Sequence, residues 1–123
     1  MAKVLIVDDD SQFRRVLRIA LSARGHQVRE AENGQEALDE MRRDAADIVL
    51  LDWRMPVMDG EHACRALRAG SVLPVIVIAA ADCEQEAFAA GASAFFKKPV
   101  DARILLACVD ACTGTANEPA IRK

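Results

Sequence analysis

The sequence has no run of basic residues, no apolar stretch of membrane-spanning length, and no cysteine pair with the spacing of a zinc site. A formal net charge of −3, from 16 basic and 19 acidic residues, disfavours a general binder of nucleic acids or membrane surfaces, which would carry a basic face. The apolar stretch at the N-terminus is too short for a signal peptide and meets charge at Asp8. We therefore expect a cytoplasmic protein.

Cysteine and histidine are few, and their spacing predicts structural roles. The four cysteines are Cys64, Cys83, Cys108 and Cys112. In a reducing compartment such cysteines serve as small apolar residues of the core. Cys108 and Cys112 are one helical turn apart, which leaves a redox or ligand role open as the weaker alternative. His26 and His62 are isolated in the sequence, so we expect both at the surface.

The order of apolar patterns predicts an α/β domain. The 123 residues, 52% of them hydrophobic, suffice for one domain with its own core. Continuous apolar runs predict three strands covered on both faces, and weaker patterns predict two more. In chain order the five strands are expected at 4–7, 27–31, 47–51, 73–78 and 94–96. Their alternation with helices favours a doubly wound parallel sheet with helices on both faces. In the common strand order 2-1-3-4-5 of such sheets, which we adopt as the expectation, the first and third strands are neighbours.

Five helical patterns fill the intervals between and after the strands. They are expected at 11–24, after a cap at Asn33, at 60–69, at 82–90, and after a cap at Asp101. An inward stripe of the first helix comprises Phe13, Val16, Leu17, Ala20 and Leu21. The corresponding stripe of the fifth comprises Ile104, Leu105, Cys108, Val109 and Cys112. Residues 113–123 lack periodicity, so we assign 1–112 to the domain and 113–123 to a tail or the start of a linker.

Charged residues follow the strands where each one ends. Asp8, Asp9 and Asp10 follow the first strand, Asp52 the third, and Lys98 the fifth. Ligands of open α/β sheets bind outside the carboxyl ends of the strands, so these groups are expected at one edge. If the first and third strands are neighbours, their carboxylates would repel one another unless one is protonated or a hard cation lies between them. Mg²⁺ is the economical interpretation.

Each of these residues also has an ordinary structural interpretation. The aspartates after the first strand can cap the following helix, which we expect of Asp10. Asp52 alone could form a turn, and Lys98 alone could be a solvated surface lysine. Together they favour phosphoryl transfer, because a carboxylate can act as the nucleophile while a metal and a lysine neutralise the transferring oxygens. Asp52 is then the natural acceptor.

Three motifs resemble the receiver domain of bacterial two-component response regulators. They are VDDD at 7–10, LLDWRMPVMDG at 50–60 and FFKKP at 95–99. The resemblance covers nearly the whole chain and implies the flavodoxin-like receiver fold. It also implies a phosphoacceptor signalling domain rather than an enzyme, which takes its phosphoryl group from a histidine kinase or histidine phosphotransfer protein. The signal would pass to a downstream protein or an attached output domain, without direct contact with nucleic acid or membrane.

The same resemblance assigns roles to individual residues. Asp52 would accept the phosphoryl group, and Lys98 would hold it. Asp8, Asp9, Asp52 and the backbone carbonyl of Arg54 would organise Mg²⁺, with Mn²⁺ as an alternative. The peptide bond before Pro99 would be cis, a geometry that proline makes accessible.

Two departures from the family pattern concern switching. The family usually has threonine or serine after the fourth strand, where this chain has Ala79. That hydroxyl normally binds the phosphoryl group and couples it to an aromatic switch residue, whose place Phe95 takes here. Only twelve positions separate Ala79 from Gly91, so the fourth helix is expected to be short or displaced.

Two other functions remain as alternatives. Ala79 also suits an interaction module that keeps the fold but signals without phosphorylation. The second alternative is a small hydrolase of the haloacid dehalogenase type, suggested by Asp8 and Asp10 in a DxD arrangement. It is the weaker one, because the chain lacks a hydroxyl residue after a middle strand and has no room for a cap domain.

Overall fold

A computed structural model describes residues 2–55, 57–69 and 71–114 of the chain. In these residues five strands form one parallel sheet: β1 (Lys3–Val7), β2 (Gln27–Ala31), β3 (Ile48–Leu51), β4 (Val75–Ala79) and β5 (Ala94–Lys97). Five helices alternate with them: α1 (Ser11–Ala23), α2 (Gly34–Arg43), α3 (Gly60–Arg68), α4 (Glu84–Ala89) and α5 (Ala102–Thr113). The strand order is β2-β1-β3-β4-β5. The predicted fold class is therefore confirmed.

The strands are apolar on both faces because each face of the sheet has its own core. Alternate side chains of β1, β3 and β4 enter one core with α2, α3 and α4, and the remaining side chains enter a second core with α1 and α5. Phe95 packs against the first core and Phe96 against the second, as expected for neighbours on a strand. Helices cover both faces of the sheet, so a ligand can reach the sheet only at the ends of its strands.

The helices begin at the predicted caps. The Asp10 carboxylate accepts hydrogen bonds from the backbone amides of Gln12 and Phe13, and Asn33 and Asp101 cap α2 and α5 in the same manner. The fourth helix has six residues, in keeping with the short connection. The last helix ends at Thr113, one residue beyond the predicted end of the domain. The predicted tail from residue 115 onward lies outside the described residues.

Four predictions of burial are wrong. Val16 and Ile104 were expected to face inward, but 60% and 57% of their surfaces are exposed, because the two helices rest on the sheet through narrower stripes centred on Leu17 and Leu105. Cys112 is exposed rather than part of the core. His26 was expected at the surface and is instead buried.

A hydrogen-bond network accounts for the burial of His26. Nδ1 of the ring accepts the backbone amide of Ala2, while Nε2 lies 3.0 Å from a carboxylate oxygen of Asp110. Both polar atoms of the ring are thereby satisfied, which a buried histidine requires. Elsewhere, no helix in the part of the chain that the structure describes is both long and apolar enough to span a membrane.

Candidate functional site: a carboxylate cluster at the strand ends

Backbone hydrogen bonds between neighbouring strands continue for one residue beyond the ends of β1, β3 and β5, and they position the site residues. The amide of Asp8 donates to the carbonyl of Ala31 at 3.1 Å, and the amide of Asp52 donates to the carbonyl of Val7 at 2.8 Å. The amide of Lys98 donates to the carbonyl of Ala79 at 2.8 Å. The three side chains therefore leave from rigid positions at one edge of the sheet.

Three carboxylates meet at this edge. One oxygen from each of Asp8, Asp9 and Asp52 lies within 4.8 Å of the other two. Asp8 and Asp52 are buried, whereas Asp9 is exposed. The cluster consists of hard oxygen donors that are open on one side, which suits a divalent cation that keeps several waters.

Lys98 lies against the same cluster. Its Nζ donates a hydrogen bond to Oδ2 of Asp8 at 2.9 Å and is 3.7 Å from Oδ1 of Asp52. The ammonium group also lies 4.4 Å from the centroid of the Phe13 ring. A cation that contacts carboxylates on one side and an aromatic ring on the other is held in place at the mouth of the site.

The electrostatics of Asp52 follow from burial and crowding. Burial first, and then the negative charge of Asp8, raise the pKa of Asp52 to about 6, although Lys98 opposes the shift. Burial would lower the pKa of Lys98, but its hydrogen bond and attraction to Asp8 outweigh that effect and raise it. In the absence of a cation the carboxylates are thus incompletely compensated, and the site favours additional positive charge.

The remaining predicted residues lie around this cluster. Asp10 caps α1 with its carboxylate, as the sequence predicts, and is not one of the three residues of the cluster. The side chain of Arg54 is exposed, and the ligand role of its carbonyl stays a prediction. Ala79 is buried at the end of β4, with Phe95 packed against the same core. The peptide bond between Lys98 and Pro99 is cis.

Sequence reasoning missed two supporting residues. Phe13 was assigned only to the core stripe of α1, yet its ring also contacts Lys98. Arg14 donates to the backbone carbonyl of Asp8 at 2.6 Å and to the carboxylate of Glu30 at 2.8 Å. Their positions in the first turn after the cap at Asp10 were the available signal, because that turn begins at the edge of the sheet.

Gly60 allows the loop that follows β3 to pack closely against the start of α3. A Cβ atom at this position would lie 2.5 Å from the backbone oxygen of Asp52 and 2.5 Å from Cα of Trp53. Only glycine allows so close an approach without displacement of the backbone. The start of α3, which Asp59 caps, is thereby held against the loop that carries Asp52.

Comparison with known proteins agrees with this geometry. Residues 4–110 match the family described as response regulator receiver domain. The chain belongs to the response regulator receiver family. Receiver domains are phosphoacceptor signalling modules, and the cluster of Asp8, Asp9 and Asp52 is typical of their Mg²⁺ site.

Similar proteins extend this result. The chain is 43% identical over 109 residues to the response regulator MprA of Mycolicibacterium vanbaalenii, and 42% identical over 109 residues to that of Mycobacterium avium. These alignments cover 85% of this chain but 47% and 48% of the relatives. The receiver chain thus spans about half the length of the curated relatives it matches.

Solved structures are similar throughout the receiver domain. The Francisella response regulator 1452 receiver domain superimposes with a TM-score of 0.88 at 26% identity, covering 95% of this chain and 100% of that one. The Vibrio cholerae chemotaxis protein CheY4 gives a TM-score of 0.84 at 31% identity, with 91% and 98% covered. The fold is therefore that of a receiver domain from β1 to α5.

Proposed function

We propose that the domain accepts a phosphoryl group on Asp52 from a phosphohistidine donor, with Mg²⁺ bound at the carboxylate cluster. The observation that carries this proposal is the meeting of Asp8, Asp9 and Asp52 within 4.8 Å beside the ammonium group of Lys98. An oxygen of Asp52 attacks phosphorus while the bond from phosphorus to the histidine nitrogen breaks. The acceptor is buried within a rigid strand end, so its attacking oxygen is already oriented.

The donor set fits Mg²⁺, and Mn²⁺ as the alternative. Asp8, Asp9, Asp52 and the carbonyl of Arg54 would hold the ion, which leaves positions for water and for phosphoryl oxygens. When bound, the ion neutralises negative charge on the transferring group. Lys98 supplies a second positive charge and exchanges its hydrogen bond with Asp8 for one with a phosphoryl oxygen.

Ala79 makes the consequence of phosphorylation unusual. A hydroxyl here would donate to the phosphoryl group, and a hydrogen bond to a charged group contributes roughly 1.5–3 kcal/mol. Without it, the bias of phosphorylation toward the switched conformation is weaker by about one to two powers of ten. We propose that Asp52 is phosphorylated normally, while movement of the Ala79 loop and of Phe95 is only weakly coupled to it.

The relatives indicate the setting of this receiver domain. Proteins named response regulator MprA are about twice as long as the matching region. We propose that the domain acts in the cytoplasm, with a histidine kinase or histidine phosphotransfer protein as the donor and a downstream protein or an attached output domain as the target. The residues 1–112 would constitute the receiver itself, and contact with nucleic acid or membrane would fall to other parts of the pathway.

Intact mass measurement tests acceptance of the phosphoryl group. Acetyl phosphate with Mg²⁺ should add the mass of one phosphoryl group to the protein, and the adduct should be absent from Asp52→Asn. Omission of the divalent cation should abolish the reaction in the same assay. No adduct with acetyl phosphate or with a cognate kinase would refute the proposal and favour the phosphorylation-independent interaction module, the function that Ala79 supports second best.

A further inference from the structure

Two cysteines stand together on a partly exposed side of α5, away from the carboxylate cluster. Cys108 and Cys112 are four positions apart, so their side chains share one helix face about 6 Å apart along the axis. Cys108 is half-buried, Cys112 is exposed, and both are free thiols. An adjacent pair of sulfur ligands is thus accessible from solvent.

The other two cysteines differ from this pair. Cys64 and Cys83 are buried among apolar side chains of the first core, where burial raises the pKa of each thiol. They act as small core residues, as the sequence predicts. The expectation of a core role fails at Cys112, so the pair on α5 requires a separate explanation.

The protonation of Cys108 disfavours this thiol as a redox nucleophile. Burial, followed by the neighbouring Cys112, raises the pKa of Cys108 to about 11. Attack on peroxides or disulfides requires the thiolate, which such a thiol barely populates at neutral pH. A strongly thiophilic acceptor can still displace the protons, because each new bond to sulfur compensates for the lost S–H bond.

The number of ligands restricts the acceptor. Among the described residues, only the aspartate cluster at the strand ends brings three metal-ligating side chains within mutual reach. Asp110, next to the pair in sequence, instead contacts His26 and Arg24. The α5 pair therefore offers two sulfur ligands, fewer than the four of a structural Zn²⁺ site. The pair is therefore suited to a soft metal or metalloid centre that binds only two thiolates.

We propose that Cys108 and Cys112 bind a soft acceptor that is satisfied by two sulfur ligands, either Cu⁺ or a trivalent arsenical with one organic substituent. Both S–H bonds break, and each sulfur forms one bond to the acceptor. With an arsenoxide, the oxygen leaves as water together with the two thiol protons; with Cu⁺, the protons pass to solvent. Neither sulfur nor the acceptor changes its oxidation state.

Phenylarsine oxide and Cu⁺ test the two arms of this proposal on the full 123-residue chain. Intact mass should show one phenylarsenic group per chain with the loss of one water, and a Cu⁺ chelator should report binding of one Cu⁺ under anaerobic conditions. Cys112→Ser should weaken binding by about two to four powers of ten, because the second sulfur no longer acts intramolecularly. Phosphorylation of Asp52 should not change.

A matched control variant distinguishes the effect of the thiols' positions on binding from the effect of their number. Cys112→Ser combined with Thr113→Cys keeps two thiols on α5 but turns them about 140° apart around the helix. This variant should bind as weakly as Cys112→Ser alone, whereas Cys64→Ala should bind like the unmodified chain. Binding of only one probe assigns the site to that acceptor. Equal binding by Cys112→Ser, arsenic mapped to Cys64 or Cys83, or binding of neither probe would overturn the proposal.

Discussion

Lys98 is held between unlike partners, two carboxylates and the ring of Phe13. We predict that Phe13→Leu slows phosphorylation of Asp52 by acetyl phosphate about two- to fivefold, because the ring contributes about 0.5–1 kcal/mol to the placement of the ammonium group. Leucine preserves most of the apolar contact with the second core. The initial rate of adduct formation at saturating Mg²⁺ measures the effect.

Two variants distinguish the charge attraction from packing. Phe13→Tyr retains an aromatic face and should restore most of the rate, while Leu17→Met changes the buried packing of the same helix without approaching Lys98. If Phe13→Leu and Leu17→Met slow the reaction equally, the ring acts only through the core.

Ala79 permits the opposite experiment, the introduction of a hydroxyl group. We predict that Ala79→Ser increases the conformational response to a phosphoryl mimic by about one to two powers of ten in population ratio, since the new hydroxyl donates to a charged group. Ala79 is buried at the end of β4, whereas Ala80 is exposed, so Ala80→Ser is the matched control. Nuclear magnetic resonance signals of Phe95 with and without beryllofluoride would report the shift. An unchanged response in Ala79→Ser would mean that the hydroxyl does not limit switching in this chain.

At the scale of elements, α1 is tied to β2 by an ion-pair network. Arg14 and Arg18 on the helix both contact the carboxylate of Glu30. Burial would raise the pKa of Glu30, but the hydrogen bonds and charges of the two arginines outweigh it and hold the pKa below the usual 4.5. The ionised carboxylate of Glu30 therefore stabilises the folded state at pH values above its pKa in the unfolded chain. This contribution is lost as the pH falls through the lower pKa of Glu30 in the folded state.

The pH dependence of Glu30→Gln follows from this sign. We predict a loss of roughly 0.5–1 kcal/mol in unfolding free energy at pH 7, and a smaller difference at an acidic pH below the lowered folded pKa of Glu30, where the carboxyl group is protonated in both states. Urea denaturation of the variant and the unmodified chain at both pH values measures it. Glu32→Gln, at an exposed position beside β2, should show little effect at either pH. A loss that persists at low pH would contradict the ionic explanation.

Most elements could be predicted from the sequence, because apolar runs and caps are local signals. The strand at 27–31 and the caps at Asp10, Asn33 and Asp101 are where the sequence places them. The inward faces of α1 and α5 were predicted too wide, since periodicity identifies an apolar stripe but not how much of it the sheet covers. Hence Val16 and Ile104 proved exposed.

The candidate site was likewise predicted only in part from the sequence. Its charged residues follow from the strand ends and the strand order, whereas the contacts of Phe13 and Arg14 depend on how the first turn of α1 sits against Lys98 and Asp8. The burial of His26 was unpredictable for a related reason. Its partner Asp110 lies 84 positions away, and neither residue alone carries a signal for the other.

At the scale of the whole molecule, that long-range contact joins the beginning and the end of the described fold. Arg24, at the end of α1, and His26, just before β2, both bond the carboxylate of Asp110 on α5. His26 also accepts the amide of Ala2, next to β1. The last helix is therefore docked by a buried polar contact as well as by Leu105 and Val109 in the second core.

Asp110→Ala should consequently lower the global stability of the fold. We predict a loss of about 2–3 kcal/mol in unfolding free energy, because the buried ring nitrogen of His26 is left without its acceptor. Asp110→Asn should cost less, since an amide oxygen can still accept that bond. Asp39→Ala, which removes an exposed ion pair with Arg42, should change stability by at most about 0.5 kcal/mol. Urea denaturation orders the three variants, and an equal cost for Asp110→Ala and Asp39→Ala would show that α5 is held by its apolar face alone.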